Sequence, residues 1–423
     1  MPLFTSGLIV ACLISLFATV TNLVPVSVLG PGACLVIFLI SVWNGAIGSD
    51  VARWAAIFIG YAAVNCALYW PQSFLEPNFY RYDGNMFLSF APYLLVGLLV
   101  TRVDIDRLLF HFLLFSTAIC APVVAYDFAS HQLPSHGLFV AHNAFGGFLM
   151  FTSAIAIAYL CNSRTLTALM LTGLHLGMLG LSYSRGSMLG IIGAVLAYWC
   201  FRRGRMWPLW AALALIVVVQ TAILSRTYPI YASAPEGIRE LIDANASSGQ
   251  EANILIRALK DWPHGLDLFF HSPIFGAGFG SMNDRPHDLK DFALIQFKNS
   301  VLHRYTSGHA HHSYIHWLGE IGLVGLVLFL GFWSRVHKFI VMNSPFPLTR
   351  DAIYIGFWAI TFAAFTEHRL PTPSNAFPLA LAFLLYTARL RATTIPRPKR
   401  ARSPGAKREP SSARITTSAH SGF

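Results

Sequence analysis

Hydrophobic positions in this chain come in long blocks rather than in alternation. Mostly apolar runs lie near 7–24, 28–47, 51–69, 86–101, 107–127, 140–161, 165–181, 186–201, 207–224, 313–333, 351–366 and 374–390, separated by short polar breaks. A helix needs about 20 such residues to cross a bilayer. In lipid every backbone amide must be satisfied within its own segment, so runs of this length predict helices. Strands of a membrane barrel would alternate apolar and polar residues, and these runs do not. The expected fold is an all-α polytopic membrane protein with about 12 transmembrane helices.

One polar stretch, 225–312, is too long to be a simple connection. Within it "PEGIRELIDA" and "EANILIRALKDWPHGLDLFF" space their apolar residues as helices do, and Pro235 suits a first helical turn. "HSPIFGAGFGSM" then breaks the pattern with Pro273 and three glycines, a tight turn where backbone can approach something closely. The stretch reads as a small helical cap over one mouth of the bundle. The expected layout is nine spans in 1–224, the loop in 225–312, three spans in 313–392 and a tail in 393–423.

Composition agrees with the pattern. Of the 423 residues 55% are hydrophobic and 12% charged, where a soluble chain carries about 25% charged. The first run has no Lys or Arg before it and no convincing cleavage site, so it reads as a retained anchor. The six cysteines have neither disulfide nor zinc spacing and read as small packing residues.

The net charge of +11 sorts by side. Arg53, Arg102, Arg107, Arg164, Arg202, Arg203, Arg205, Arg335, Lys338 and Arg350 fall in one set of breaks, and the tail joins them with Arg389, Arg391 and further basic residues. The short breaks opposite hold only Arg81, Arg185 and Arg369. Cytoplasmic loops carry the excess of Lys and Arg, so both termini are expected inside and the 225–312 loop outside. The Pro-, Ser- and Arg-rich tail reads as a disordered basic segment near anionic headgroups. It lacks the interleaved aromatics of a nucleic-acid binder, so no nucleic-acid partner is expected.

Arg185, in "LSYSRGSMLG", is either an arginine snorkelling to the interface or an anion clamp. Its guanidinium fork suits phosphate oxygens, and the helix start at Gly186 and Ser187 adds amide donors. Arg257, in "NILIRALKDW", sits on the apolar side of a loop helix or lies along its own surface. His309, His311, His312 and His316 gather where "GHAHHSYIHWLGEIG" enters an apolar run. Three readings stay open there: helix-end polarity, a metal pair at His312 and His316, and acid–base chemistry.

"AHHSYIHWLGEIGLVGLVLFL" resembles the signature of the O-antigen ligase and O-antigen polymerase superfamily. "SYSRGSMLG", "HSPIFGAGFG" and "AHNAFGGFL" resemble three further elements of it, in order. The resemblance implies a membrane glycosyltransferase of the bacterial inner membrane, with its long loop in the periplasm. Such an enzyme moves a glycan from undecaprenyl diphosphate to an acceptor hydroxyl, with inversion and without metal or other cofactor. Aligned on Glu320 and Gly322, the signature puts His311 on the catalytic histidine, with Arg185 and Arg257 where the donor diphosphate is held. His312 stands where Asn is usual. His312, Arg81, Arg369, Asn143 and Glu320 are auxiliary candidates, and the choice of base between His311 and His312 stays open. Twelve spans with one dominant loop before the tenth favour a ligase acting on lipid A core, with a polysaccharide polymerase as the alternative. A transporter, the remaining reading, would place charges at mid-span, whereas here they gather at span ends.

Overall fold

A computed structural model describes residues 28–75, 83–139, 141–233, 257–283, 310–342 and 344–394, with a few isolated positions between 7 and 14 and at 79. The first expected span, Arg81, His309, two stretches of the long loop and the tail beyond Thr394 lie outside the described residues. Among those described, regular structure is entirely helical. The α-helices are α1 (Leu29–Trp43), α2 (Asp50–Tyr69), α3 (Asn85–Leu94), α4 (Ile105–Ala129), α5 (His142–Ser163), α6 (Leu166–Leu181), α7 (Arg185–Arg203), α8 (Trp207–Ser233), α9 (Trp262–His271), α10 (Ser313–Val341), α11 (Pro347–Ala363) and α12 (Pro373–Thr394).

Each helix falls on one of the apolar runs except α9, which belongs to the long loop. Of the described helices, 5 are long and apolar enough to cross a membrane: α2, α4, α5, α8 and α10. The boundaries follow local chemistry. Ser49, Asp104 and Thr165 cap α2, α4 and α6 by accepting an amide N–H two or three residues into the helix. Gly204, at φ 63°, ends α7 in the left-handed region just after Arg202 and Arg203. The run expected at 86–101 departs from a full span. Pro92 removes a helical donor, and Gly97 turns at φ 84° hard against Gly48, whose carbonyl a Cβ there would meet at 2.2 Å.

Packing centres on aromatic side chains of α2, α3, α10 and α11. Phe90 lies 5.7 Å from Phe332, Trp317 4.7 Å from Phe329 and Trp333 4.6 Å from Phe357, centroid to centroid. Between α7 and α11 small residues let backbones touch, since a Cβ on Gly190 would meet the Ala359 carbonyl at 2.5 Å.

The longest helix is broken. Gly322 in α10 has φ 63° and ψ −168°, which opens the hydrogen-bond ladder inside an apolar segment. The glycine turn of the long loop closes it again. Ala277 and Gly278 donate to the carbonyls of Gly319 and Glu320, while Leu323 and Val324 donate to those of Pro273 and Ile274, all at 2.9–3.1 Å. Tyr61 and Asn65 of α2 brace the joint through Ile321 and Phe275. The close approach expected of this turn is thus made to α10. Any side chain at Gly322 would collide with Ile274. Non-helical backbone at such depth survives only when protein satisfies it, and here the loop does so.

Contacts of Arg335 with Asp50, of Arg202 and Asn162 with Asp351, of Thr349 with Asp106 and of Arg389 with the Arg102 carbonyl bring the cation-rich ends of α2, α4, α5, α7, α10, α11 and α12 to one end of the bundle. The starts of α5, α7, α10 and α12 and the end of α11 meet at the other, through Arg369 with Asn143 and Ser184, Ser313 with Ala364 and Gly147 with Asn375. Cysteine labelling of intact cells checks the orientation. A Cys at Ser247 should label without permeabilisation, and labelling only after permeabilisation would invert the assignment.

Candidate functional site

The cation-poor end gathers buried ionisable groups from four segments. His311 precedes α10 with φ 50°, a conformation a β-carbon resists and which marks strain held by its surroundings. Its side chain is buried, with Nδ1 3.5 Å from Glu367 Oε2 and Nε2 4.0 Å from Asp261 Oδ2. Arg257 opens the turn before α9 and donates from Nη1 to the Thr366 carbonyl and to Glu367 Oε1, both at 2.9 Å. Glu367 therefore touches both the histidine and the arginine. Burial alone would raise its carboxyl, but His311, Arg369 and Arg257 hold it well below the usual carboxylate range.

Arg185 begins α7 with its side chain exposed, and it makes no hydrogen bond or ion pair to another described residue. The same helix start packs under Glu367: a Cβ on Gly186 would meet Glu367 Cγ at 2.5 Å. Arg369 is buried and donates to the Asn143 carbonyl at 2.6 Å and to Ser184 Oγ at 2.9 Å. Asn143 thus enters through its backbone, and Arg369 ties α5, α7 and the 364–372 loop together. Ser313, the first residue of α10, donates to the Glu367 carbonyl and accepts the Arg369 N–H.

His312 sits in a different environment. It is the N-cap of α10, with Nδ1 accepting the Ile315 N–H and Nε2 3.1 Å from Gln220 Oε1. Trp262, Tyr314 and Phe365 surround the ring, and burial pushes it down to about 3. Both nitrogens are committed and the ring is neutral. An Asn side chain would perform the same capping.

His316 and Glu320 lie deeper and are fully buried. His316 Nε2 is 2.9 Å from Asp83 Oδ1 and 3.3 Å from Glu320 Oε2, and Glu320 Oε1 accepts the Met282 N–H. His368 Nε2 reaches the same Asp83 oxygen at 3.0 Å. His312 and His316 face different partners, so their proposed pairing as metal ligands is not made. Sequence reading missed Glu367, Asp261, Asp83 and His368. A signal existed for two of them, since "TEHRL" concentrates charge in a short break on the cation-poor side.

These features define a helical membrane protein with a buried histidine–carboxylate–guanidinium cluster at the end of its bundle that is poor in cations. Residues 167–330 match the family described as O-antigen ligase, a stretch that contains Arg185, Arg257, His311 and Glu320. Over that stretch the chain is similar to the O-antigen ligase family. No curated protein matches the chain.

Proposed function

We propose that this protein is a glycosyltransferase of the inner membrane that moves a glycan from undecaprenyl diphosphate to a sugar hydroxyl of lipid A core on the periplasmic side. The observation that carries the reading is the contact of one buried carboxylate, Glu367, with both His311 and Arg257 above the start of α7. Glu367 orients the His311 ring through Nδ1. Nε2 then takes the proton of the acceptor hydroxyl as its oxygen bonds to the anomeric carbon. The bond from that carbon to the diphosphate breaks, and undecaprenyl diphosphate leaves with the charge. Arg185 and Arg257, with the first amides of α7, stabilise that charge. No energy source beyond the donor's own glycosyl–diphosphate bond is required.

Glu367 also has a role before substrate arrives. A diphosphate approaching Arg257 competes with the carboxylate for the guanidinium. Release of Glu367 toward His311 would couple donor binding to orientation of the base.

Purified protein should transfer glycan from a lipid-linked donor in the presence of EDTA, because arginines already supply the cations. Loss on chelation with recovery on adding a divalent ion would replace this scheme with a metal-assisted one. A polymerase would use the same donor chemistry with a second lipid-linked glycan as acceptor. Loss of the gene separates the two: a ligase leaves lipid-linked glycan unattached to lipopolysaccharide, a polymerase leaves single repeats.

A further inference from the structure

We infer that Asp83 is a positioning residue for transfer, whose carboxylate fixes His316 and His368 and through them the two chain segments that present His311 and Glu367. The inference rests on the functional reading above. Asp83 lies in the connection before α3, far in sequence from the cluster, and is fully buried. One of its oxygens accepts from His316 Nε2 at 2.9 Å and from His368 Nε2 at 3.0 Å. The two rings pack with centroids 4.0 Å apart.

Each histidine leads directly to the site. His316 Nδ1 accepts the N–H of Ala310, the residue before His311. That bond helps hold the left-handed turn on which His311 stands. His368 follows Glu367 in the chain and precedes Arg369. Asp83 therefore anchors both sides of the His311–Glu367 contact without touching either partner. Burial would raise its carboxyl, but His316 and His368 hold it below the usual range, so it is an anion accepting two N–H donors.

Asp83, His316 and His368 converge closely enough to be considered as metal ligands. Hydrogen bonding argues for the anion instead. Because Nδ1 of His316 accepts the Ala310 N–H, the neutral ring carries its proton on Nε2, the atom that would have to ligate. Metal-bound imidazoles donate through their other nitrogen rather than accept.

Among the described residues, the groups facing Asp83 are His316 and Glu320 from α10, His368 from the 364–372 loop and Cys66 from α2. Asp83→Asn keeps the volume and removes the charge. With the full purified chain, a lipid-linked glycan donor and lipid A core acceptor, kcat should fall on the order of 10²-fold, the scale of a small misplacement of reacting groups. Donor KM should stay within about twofold, because Arg185 and Arg257 are untouched. The expected signature is a fall in kcat per folded molecule at an unchanged donor KM, with folded protein counted from the amplitude of its melting curve. Loss of folded protein would lower that amplitude and leave kcat per folded molecule unchanged.

Wild-type kcat per folded molecule overturns the inference, as does stoichiometric metal in the wild type that Asp83→Asn releases. Should Asp83→Asn fail to fold, His368→Leu and His368→Gln decide. Leu should fall as far as Asp83→Asn is expected to, and Gln, which keeps an N–H for Asp83, should recover much of the rate. Equal losses overturn the inference. A wild type that transfers no glycan sinks the functional reading instead.

Discussion

His311→Ala should lower glycan transfer on the order of 10²–10⁴-fold at matched protein levels, the cost of losing a positioned general base, while His312→Asn stays near wild type. Adjacent in sequence, the two rings have different surroundings. His311 faces Glu367 and Asp261 at the mouth of the bundle. His312 is walled in by Trp262, Tyr314 and Phe365, caps α10 and meets Gln220. Asn at 312 keeps the cap, which is worth about 1 kcal/mol. His309→Ala should keep most activity. His316→Ala looks equally harmless in the sequence, one turn into a span. The structure gives a reason for a larger loss: His316 is fully buried against Asp83, and its removal leaves a buried anion with one donor fewer. Transfer near wild type in His311→Ala with a dead His312→Asn would shift the base by one residue. Activity in both would end the acid–base assignment.

What was legible in the sequence was set by how local its cause is. Apolar runs, caps and the Gly204 stop act within one helix, so the described helices other than α9 fell on the apolar runs. The short α3 was also readable in principle, because Pro92 and Gly97 are punctuation inside an apolar run. The break at Gly322 was not, since "GEIGLVGLVLFL" is as apolar as an unbroken span and only the docked loop shows how the freed amides are satisfied. The glycine turn did reveal a close approach, but not its partner.

The site divides in the same way. Arg185 and His311 could be named as candidates because each stands in a motif, and Arg257 because it lies in a stretch of helical spacing. Glu367 pairs with His311 across 56 positions, and Asp83 pairs with His368 across 285. Each is a single carboxylate in a short break, and no periodicity marks a residue whose partner lies in another loop. Cation asymmetry exposed Arg369 on the same segment, yet it is a brace between α5 and α7 by geometry, with its neighbour Glu367 facing the histidine.

Arg185→Ala should lower transfer roughly 10²–10³-fold, the loss expected for one preorganised donor to a developing anion, with no change in thermal stability. Its side chain is exposed and holds no other described residue in place. Arg257→Ala should lose at least as much transfer, and it should also destabilise the protein. Its Nη1 holds both the Thr366 carbonyl and Glu367 at 2.9 Å, so truncation strips a buried carboxylate of a partner. Lysine should rescue neither well, because a point charge cannot grip two phosphate oxygens in one plane. Turnover measured beside detergent-solubilised melting curves separates the two arginines. Wild-type transfer in both alanine variants removes the diphosphate clamp. Equal destabilisation in both would mean that Arg185, too, is occupied in the resting enzyme, leaving Arg257 alone to meet the donor.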